Sequence, residues 1–368
     1  MSASSRPRIL LLSGYDVGSH RRWREQLVAS QPEFDWQVLS LPPRHFRWRI
    51  RGNALSWLDE PLLRDHWDLL VVTSMVDLAT LKGFQPQLAA VPTLLYMHEN
   101  QFAYPVSAQQ HSSIDPQLVN LYSAIAANRV AFNSEWNRRS FLDSVAALLN
   151  KLPDAMPVDL VERLRAKSRV LPVPIDDSLF VDRTTPLNRQ QPHLLWNHRW
   201  EYDKGPDRLF NLLEQLVRLK QPFRLSVVGE QFRARPASFD AVQDAFSEQI
   251  EHWGYLDSVA DYHRLLASAD VVVSTAVHDF QGLAMLEAMA SGCLALAPER
   301  LAYPEYVPPA QCYPDLEADP ETEARAAAEA LVAMLRANEQ PEPPEAWRLS
   351  QLGPQYRELL WEMLAKGF

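Results

Sequence analysis

The stretch "ADVVVSTAVHDFQGLAMLEAMASG", residues 269–292, decides the fold. Its start is an apolar run centred on Val271, Val272 and Val273, the pattern of a strand buried on both faces of a parallel sheet. "HDFQG" follows as a polar loop, and "LAMLEAMAS" carries apolar residues at helical spacing, which predicts a helix. In open parallel sheets ligands bind at the carboxyl ends of strands, and a helix amino terminus favours anions. Gly282 lets backbone N–H groups approach a diphosphate, Asp279 in the loop reaches sugar hydroxyls, and Glu287, within the helix, suits a ribose diol. The same two acids could equally be a helix-capping Asp and a solvated helix Glu.

The rest of the chain repeats this unit. "RILLLSG", "WDLLVVTS", "PTLLYMH", "RVAFNS" and "RVLPVPI" read as strands in the first half. After about residue 190 the pattern restarts with "HLLWNHR", "FRLSVVG", "IEHWGY", "ADVVVSTA" and "CLALAP". Helical segments such as "GPDRLFNLLEQLVRLK" lie between the strands. The expectation is an α/β protein of two Rossmann-like, doubly wound domains, residues 1–180 and 190–345, joined near the proline-rich stretch 172–193. The final amphipathic segment, residues 350–368, is expected to pack back on the first domain.

Composition agrees. A chain of 368 residues exceeds what one core usually supports, and 47 % hydrophobic with 22 % charged residues is the balance of a soluble globular protein. The run before Ser13 and Gly14 is too short for a signal peptide or a membrane span, so a cytoplasmic protein without stable membrane association is expected. Cys293 and Cys312, the only cysteines, cannot build a disulfide framework and read as buried thiols. A net charge of -10 opposes bulk electrostatic binding of nucleic acid but leaves room for a local basic patch.

A second cluster lies in "WNHRWEYDKGPDRL", which runs from a strand through a loop into a helix. Arg199 and Lys204 flank that turn, where a guanidinium fork and an ammonium can converge on a leaving diphosphate. No Asp-x-Asp pair follows a strand in this half, so these cations and helix N–H groups are expected to stabilise the leaving group without a metal or other cofactor.

The order "HRWEYDKG", "VVGE", "HWGYL" and "HDFQGLAMLEAMASG" resembles the nucleotide-binding half of the retaining glycosyltransferases of family 4, which have the GT-B fold of two domains facing across a cleft. The resemblance implies that Arg199 and Lys204 neutralise the diphosphate and that Asp279 holds the transferred sugar, although Asp279 stands where that family usually has Glu. It implies donor binding by Gly18, read as part of the first strand-to-helix loop, and by Gly229, Glu230, Tyr255, Leu256, Gly282, Leu283 and Glu287. In the first half, "LLYMHENQFAYPV", "LPPRHFRWRIRGNALSW", "GSHRRW" and "FNSEWNRRSF" resemble segments of the tRNA-queuosine mannosyltransferases. Members of that branch move mannose from GDP-mannose to the cyclopentenediol of queuosine in tRNA, so the partners implied are a nucleotide sugar as substrate and tRNA. His98 is then expected to take part in transfer, and Ser19, His20, Glu99, Asn100, Gln101 and Asn133 to meet the acceptor.

"RHFRWRIRGN" is the best nucleic-acid feature. Arg44, Arg47, Arg49 and Arg51 interleave with Phe46, Trp48 and Ile50, so an extended segment would show one basic and one aromatic edge. Arg21, Arg22 and Arg24 add charge on the next helix. Two other readings stand beside tRNA mannosylation. One is a family 4 enzyme with a lipid or small-molecule acceptor, and the other is a non-catalytic nucleotide- or RNA-binding GT-B protein.

Overall fold

The computed structural model describes residues 6–104, 113–231 and 235–366. Pro105 and Val106 of the "HENQFAYPV" segment lie outside them, as does Phe232, and so do the first five and last two residues of the chain. The chain divides into two compact units. One comprises the residues up to Pro174 with those from Ser350 onward, and the other is Ile175–Leu349.

The first unit is built on six parallel strands: β1 (Arg8–Ser13), β2 (Asp35–Ser40), β3 (Leu69–Thr73), β4 (Thr93–Met97), β5 (Arg129–Phe132) and β6 (Ser168–Val170). Their order is β2-β1-β3-β4-β5-β6. The helices are α1 (Gly18–Ser30), α2 (Phe46–Ser56), α3 (Leu78–Phe84), α4 (Asp115–Ala126), α5 (Glu135–Leu149) and α6 (Leu160–Ala166). β3 and β4 are buried at every residue, as strands covered by helices on both faces must be. β2, a half-buried edge strand, was not expected from the sequence, because "DWQVLS" mixes polar and apolar residues.

The second unit has β7 (His193–Asn197), β8 (Arg224–Val228), β9 (Ile250–Gly254), β10 (Val271–Val273), β11 (Leu294–Pro298) and β12 (Cys312–Tyr313). Its helices are α7 (Pro206–Arg218), α8 (Ser238–Ala245), α9 (Val259–Ser268), α10 (Leu283–Ala290) and α11 (Pro320–Ala337), and α12 (Leu349–Ala365) closes the chain. The order β12-β11-β10-β7-β8-β9 is that of a Rossmann sheet, read from its far edge. Strand order reverses between β7 and β10, so the two loops that carry the candidate donor residues leave the sheet side by side.

α12 belongs to the first unit. Trp23 Nε1 donates to Tyr356 Oη at 3.0 Å, and the single Tyr356 hydroxyl proton is shared between Tyr96 Oη at 2.9 Å and the Pro172 carbonyl at 3.0 Å. No helix among the described residues is long and apolar enough to cross a membrane.

Three sequence expectations are corrected. "RHFRWRIRGN" is the start of α2 and not an extended segment. Phe46, Ile50, Ala54 and Trp57 recur at helical spacing and turn inward, and this periodicity outweighs the residue-by-residue alternation. Gly18 is the first residue of α1 and not part of the preceding loop. Cys293 is buried, but Cys312 is only partly so; burial pushes their thiols up to about 12 and about 11, leaving both protonated.

Candidate active site

The loop after β7 makes one turn of 3-10 helix, Tyr202–Lys204, and enters α7 through Gly205. Gly205 has φ 65°, and a Cβ there would come within 2.3 Å of the Thr275 carbonyl oxygen, so only glycine fits where this loop crosses the one after β10. Thr275 Oγ1 locks the crossing by sharing its one proton between the carbonyls of Lys204 and Gly205, both at 2.9 Å, and it accepts from Trp196 Nε1.

That crossing puts Lys204, which is 7 % exposed, against the second loop. Its Nζ donates to the His278 carbonyl at 2.7 Å and lies 3.3 Å from both Asp279 Oδ2 and Asp203 Oδ2. Asp279 Oδ1 accepts from the Gly282 N–H at 2.9 Å, so Asp279 fixes the amino terminus of α10. Gly282 has φ 77°, and a Cβ there would meet Tyr306 Oη at 2.2 Å. Burial raises the Asp279 carboxyl, but Lys204, the two nearby histidines and the Gly282 N–H outweigh it and hold its pKa at about 2. Burial, followed by the Lys204 charge, holds His198 and His278 at about 4, so both rings are neutral at neutral pH. Sequence reasoning passed over both; their signal was position, at the carboxyl end of β7 and after β10.

Glu287 is buried on α10 and accepts from Tyr262 Oη at 2.8 Å. Tyr262 Oη in turn accepts from Asn197 Nδ2 at 3.1 Å, and Asn197 Nδ2 also donates to the Ala284 carbonyl at 2.9 Å. Glu287 is therefore neither solvated nor isolated. Tyr262, on α9, gave no local signal in the sequence.

The remaining donor candidates spread more widely. Arg199 is exposed and pairs with Glu201 at 2.7 Å, and it lies close enough to His278 to help lower its pKa. Gly229 and Glu230 follow β8, and the Trp200 N–H donates to the Glu230 carbonyl at 2.9 Å, leaving the Glu230 side chain exposed. Tyr255 is exposed after β9, whereas Leu256 and Leu283 pack on the core around β7, β10 and α10.

In the first unit the switch point lies between β1 and β3. His98, directly after β4, is buried, with no hydrogen-bond partner for either ring nitrogen among the described residues. Its ring stacks on that of His20 at 4.1 Å between centroids and meets Trp23 and Tyr96 edge-on, both at 4.6 Å. Burial, then the neighbouring His20, holds the His98 pKa well below its ordinary value; burial holds His20 at about 4, and His20 Nδ1 contacts the Tyr15 carbonyl at 3.1 Å. Neither ring carries charge at neutral pH.

The "HENQ" turn is held by asparagines. Asn100 is fully buried, donates to Asn137 Oδ1 at 2.8 Å and accepts from the N–H groups of Phe102 and Ala103. Asn133 donates to the His98 carbonyl at 2.8 Å and accepts from Asn137 at 2.7 Å. These two shape the loop. Glu99 and Gln101, which are half-buried, contact each other at 3.4 Å, and Ser19 is exposed at the start of α1. Arg44, just before α2, and Arg47 and Trp48 on it are exposed, Arg49 donates to Ser56 Oγ at 3.3 Å, and Arg51 pairs with Asp77 at 2.9 Å.

Two parallel sheets of this kind, the second with a cation and a helix tip at its switch point, define a glycosyltransferase of the GT-B fold. Solved structures agree on the fold. Anabaena HepE in complex with UDP and glucose superposes with a TM-score of 0.67 at 14 % identity, over 97 % of this chain and all of that one. Sucrose-phosphate synthase from Thermosynechococcus elongatus gives 0.69 at 15 %, over 98 % and 100 %. Residues 180–347 match the family model for glycosyl transferases group 1, and residues 8–175 match that for the tRNA-queuosine alpha-mannosyltransferase N-terminal domain. The tRNA-queuosine alpha-mannosyltransferase of Drosophila melanogaster is 34 % identical over 318 residues, 84 % of either chain. The chain belongs to the tRNA-queuosine alpha-mannosyltransferase family.

Proposed function

We propose that this glycosyltransferase moves mannose from GDP-mannose to the cyclopentenediol of queuosine in tRNA, in the cytoplasm, with retention of configuration and without a metal. The match of residues 8–175 to the amino-terminal model of that family carries the reading, because a generic donor half alone would leave the acceptor open. The curated relative carries the same activity in its name.

The second unit supplies the donor chemistry. Lys204 and Arg199 neutralise the diphosphate, helped by the N–H groups that open α10 at Gly282. Glu287, oriented by Tyr262, accepts from the ribose diol. Asp279, anionic because of Lys204, accepts from hydroxyls of the transferred sugar. Glu230 reads the guanine edge, with Tyr255 beside the nucleotide.

In the transfer step an acceptor hydroxyl oxygen bonds to the anomeric carbon on the face the diphosphate leaves. The bond between that carbon and the diphosphate oxygen breaks, and the leaving oxygen takes the hydroxyl proton. No carboxylate need act as nucleophile. Neutral His98, whose two ring nitrogens have no partner among the described residues, hydrogen-bonds the reacting sugars.

The test is incubation with radiolabelled GDP-mannose and total tRNA prepared with and without queuosine. Label should enter only the queuosine-containing RNA. Equal labelling of both, or none with either, would refute the reading. Thermal stabilisation by GDP beyond that by UDP checks the base; ligand at 100 times its dissociation constant stabilises by about 2.7 kcal/mol.

A further inference from the structure

We propose that Trp48 is a stacking platform for an unpaired RNA base, with Arg44 and Arg47 on the flanking phosphates. The proposal deepens the tRNA reading above and rests on it for the identity of the RNA.

The observation that carries it is the seat of the indole. Gly52 is a helical residue without positive φ, so the backbone conformation does not demand glycine, and alanine in its place would favour the helix by about 1 kcal/mol. What glycine provides is space. A Cβ at position 52 would lie 2.4 Å from Trp48 Cε2 and 2.6 Å from both Cδ2 and Cζ2. Cε2 is a ring-fusion atom with three neighbours in the ring plane, so an atom nearest to it approaches from above that plane. One face of the indole therefore rests on Gly52. Trp48 is nonetheless 52 % exposed, so much of the ring that does not lie on Gly52 is open to solvent. A large aromatic ring fixed on one side and open on the other is what base stacking uses.

Charge fits the same occupant. No Asp or Glu occurs between Asp35 and Asp59, in a chain of net charge -10. Of the arginines here, Arg51 is paired with Asp77 and Arg49 bonds Ser56, whereas Arg44 and Arg47 have no ion-pair partner among the described residues. The basic cluster on α1 differs, because Asp16 engages both Arg21 and Arg24. A helix lying in a membrane surface would turn its apolar face outward. α2 instead buries Ile50 and Ala54 and anchors itself through Asn53, which donates to the Met75 carbonyl and accepts from the Asp77 N–H, although Leu55 is as exposed as Trp48, which is why vesicle binding is measured beside tRNA binding.

The experiment measures the affinity of the full chain for fluorescent total tRNA and, separately, for anionic phosphatidylserine vesicles. Trp48→Ala should weaken tRNA binding on the order of tenfold, the scale of one lost stack. Trp48→Phe should restore most of it. Gly52→Ala, which displaces the indole while favouring the helix, should weaken it as well, and Arg47→Ala should reduce the salt dependence. GDP affinity should be the same in all four. Tight tRNA binding indifferent to Trp48→Ala and Gly52→Ala, no tRNA binding by the wild type, or a Trp48-dependent affinity for vesicles only would overturn the proposal. Trp48-dependent tRNA binding without mannosyl transfer would instead leave it standing and remove the activity proposed above.

Discussion

Lys204 and Asp279, from loops that leave the sheet at β7 and β10, meet with Nζ 3.3 Å from Oδ2 in a largely buried contact. The same ammonium bonds the backbone of the second loop, and the same carboxylate fixes the start of α10, so one ion pair aligns the three parts of the candidate donor site. Lys204→Ala leaves Asp203 and Asp279 without their cation. It should destabilise the protein by about 3 kcal/mol, the range for breaking a buried pair, and lower turnover at least a hundredfold. Calorimetry and steady-state transfer rates read the two effects.

The Asp279 carboxyl titrates at about 2 in the folded protein against an ordinary 3.8. A depressed carboxyl pKa contributes stability that is present above 3.8 and lost as pH falls towards 2. Its contribution near neutrality is about 2 kcal/mol. Wild type should exceed Asp279→Asn in melting temperature at pH 6, and the gap should close as the pH is lowered towards 2. A gap independent of pH would contradict the assignment.

His20, His198 and His278 all titrate at about 4 when folded, against 6.5 ordinarily, and burial and the neighbouring His20 also hold His98 well below its ordinary value. Unfolding between these values takes up protons, so stability should fall as pH drops from 6.5 towards 4, by up to about 1.4 kcal/mol per pH unit for each histidine. His20→Gln should flatten the decline of the melting temperature with pH. Turnover should show no histidine titration between pH 6 and 8.

Glu287→Gln keeps an acceptor for Tyr262 but removes the charge offered to the proposed ribose diol. The Michaelis constant for the sugar nucleotide should rise about tenfold with little loss of melting temperature, the size of a charge-assisted hydrogen bond. Tyr262→Phe should weaken donor binding less, because it removes only the group that orients the acid.

Tyr356→Phe removes the hydroxyl that accepts from Trp23 and donates to Tyr96. The buried indole N–H then lacks its acceptor, which costs about 1–3 kcal/mol. Hydrogen exchange should rise first in α12 and β4.

The chain's own pattern determined much of this protein. Short apolar runs such as "HLLWN" and "LLVVT" become strands because a sheet covered on both faces leaves no polar positions, and that rule is local. Lys204, Asp279 and Gly282 could be put forward as site candidates because the loops that follow parallel strands lie at the binding edge of such a sheet. Other features needed the tertiary structure. Tyr262 meets Glu287 only because α9 and α10 pack together, and Tyr356 reaches Trp23 and Tyr96 from 333 and 260 residues away. The alternation in "RHFRWRIR" was misleading, since both periods fit so short a stretch and only the neighbours of α2 chose the helix. Asn100 and Asn133 read as ligand contacts, yet their amides hold the loop, because the partners of a buried amide depend on which distant groups the fold leaves within hydrogen-bond reach.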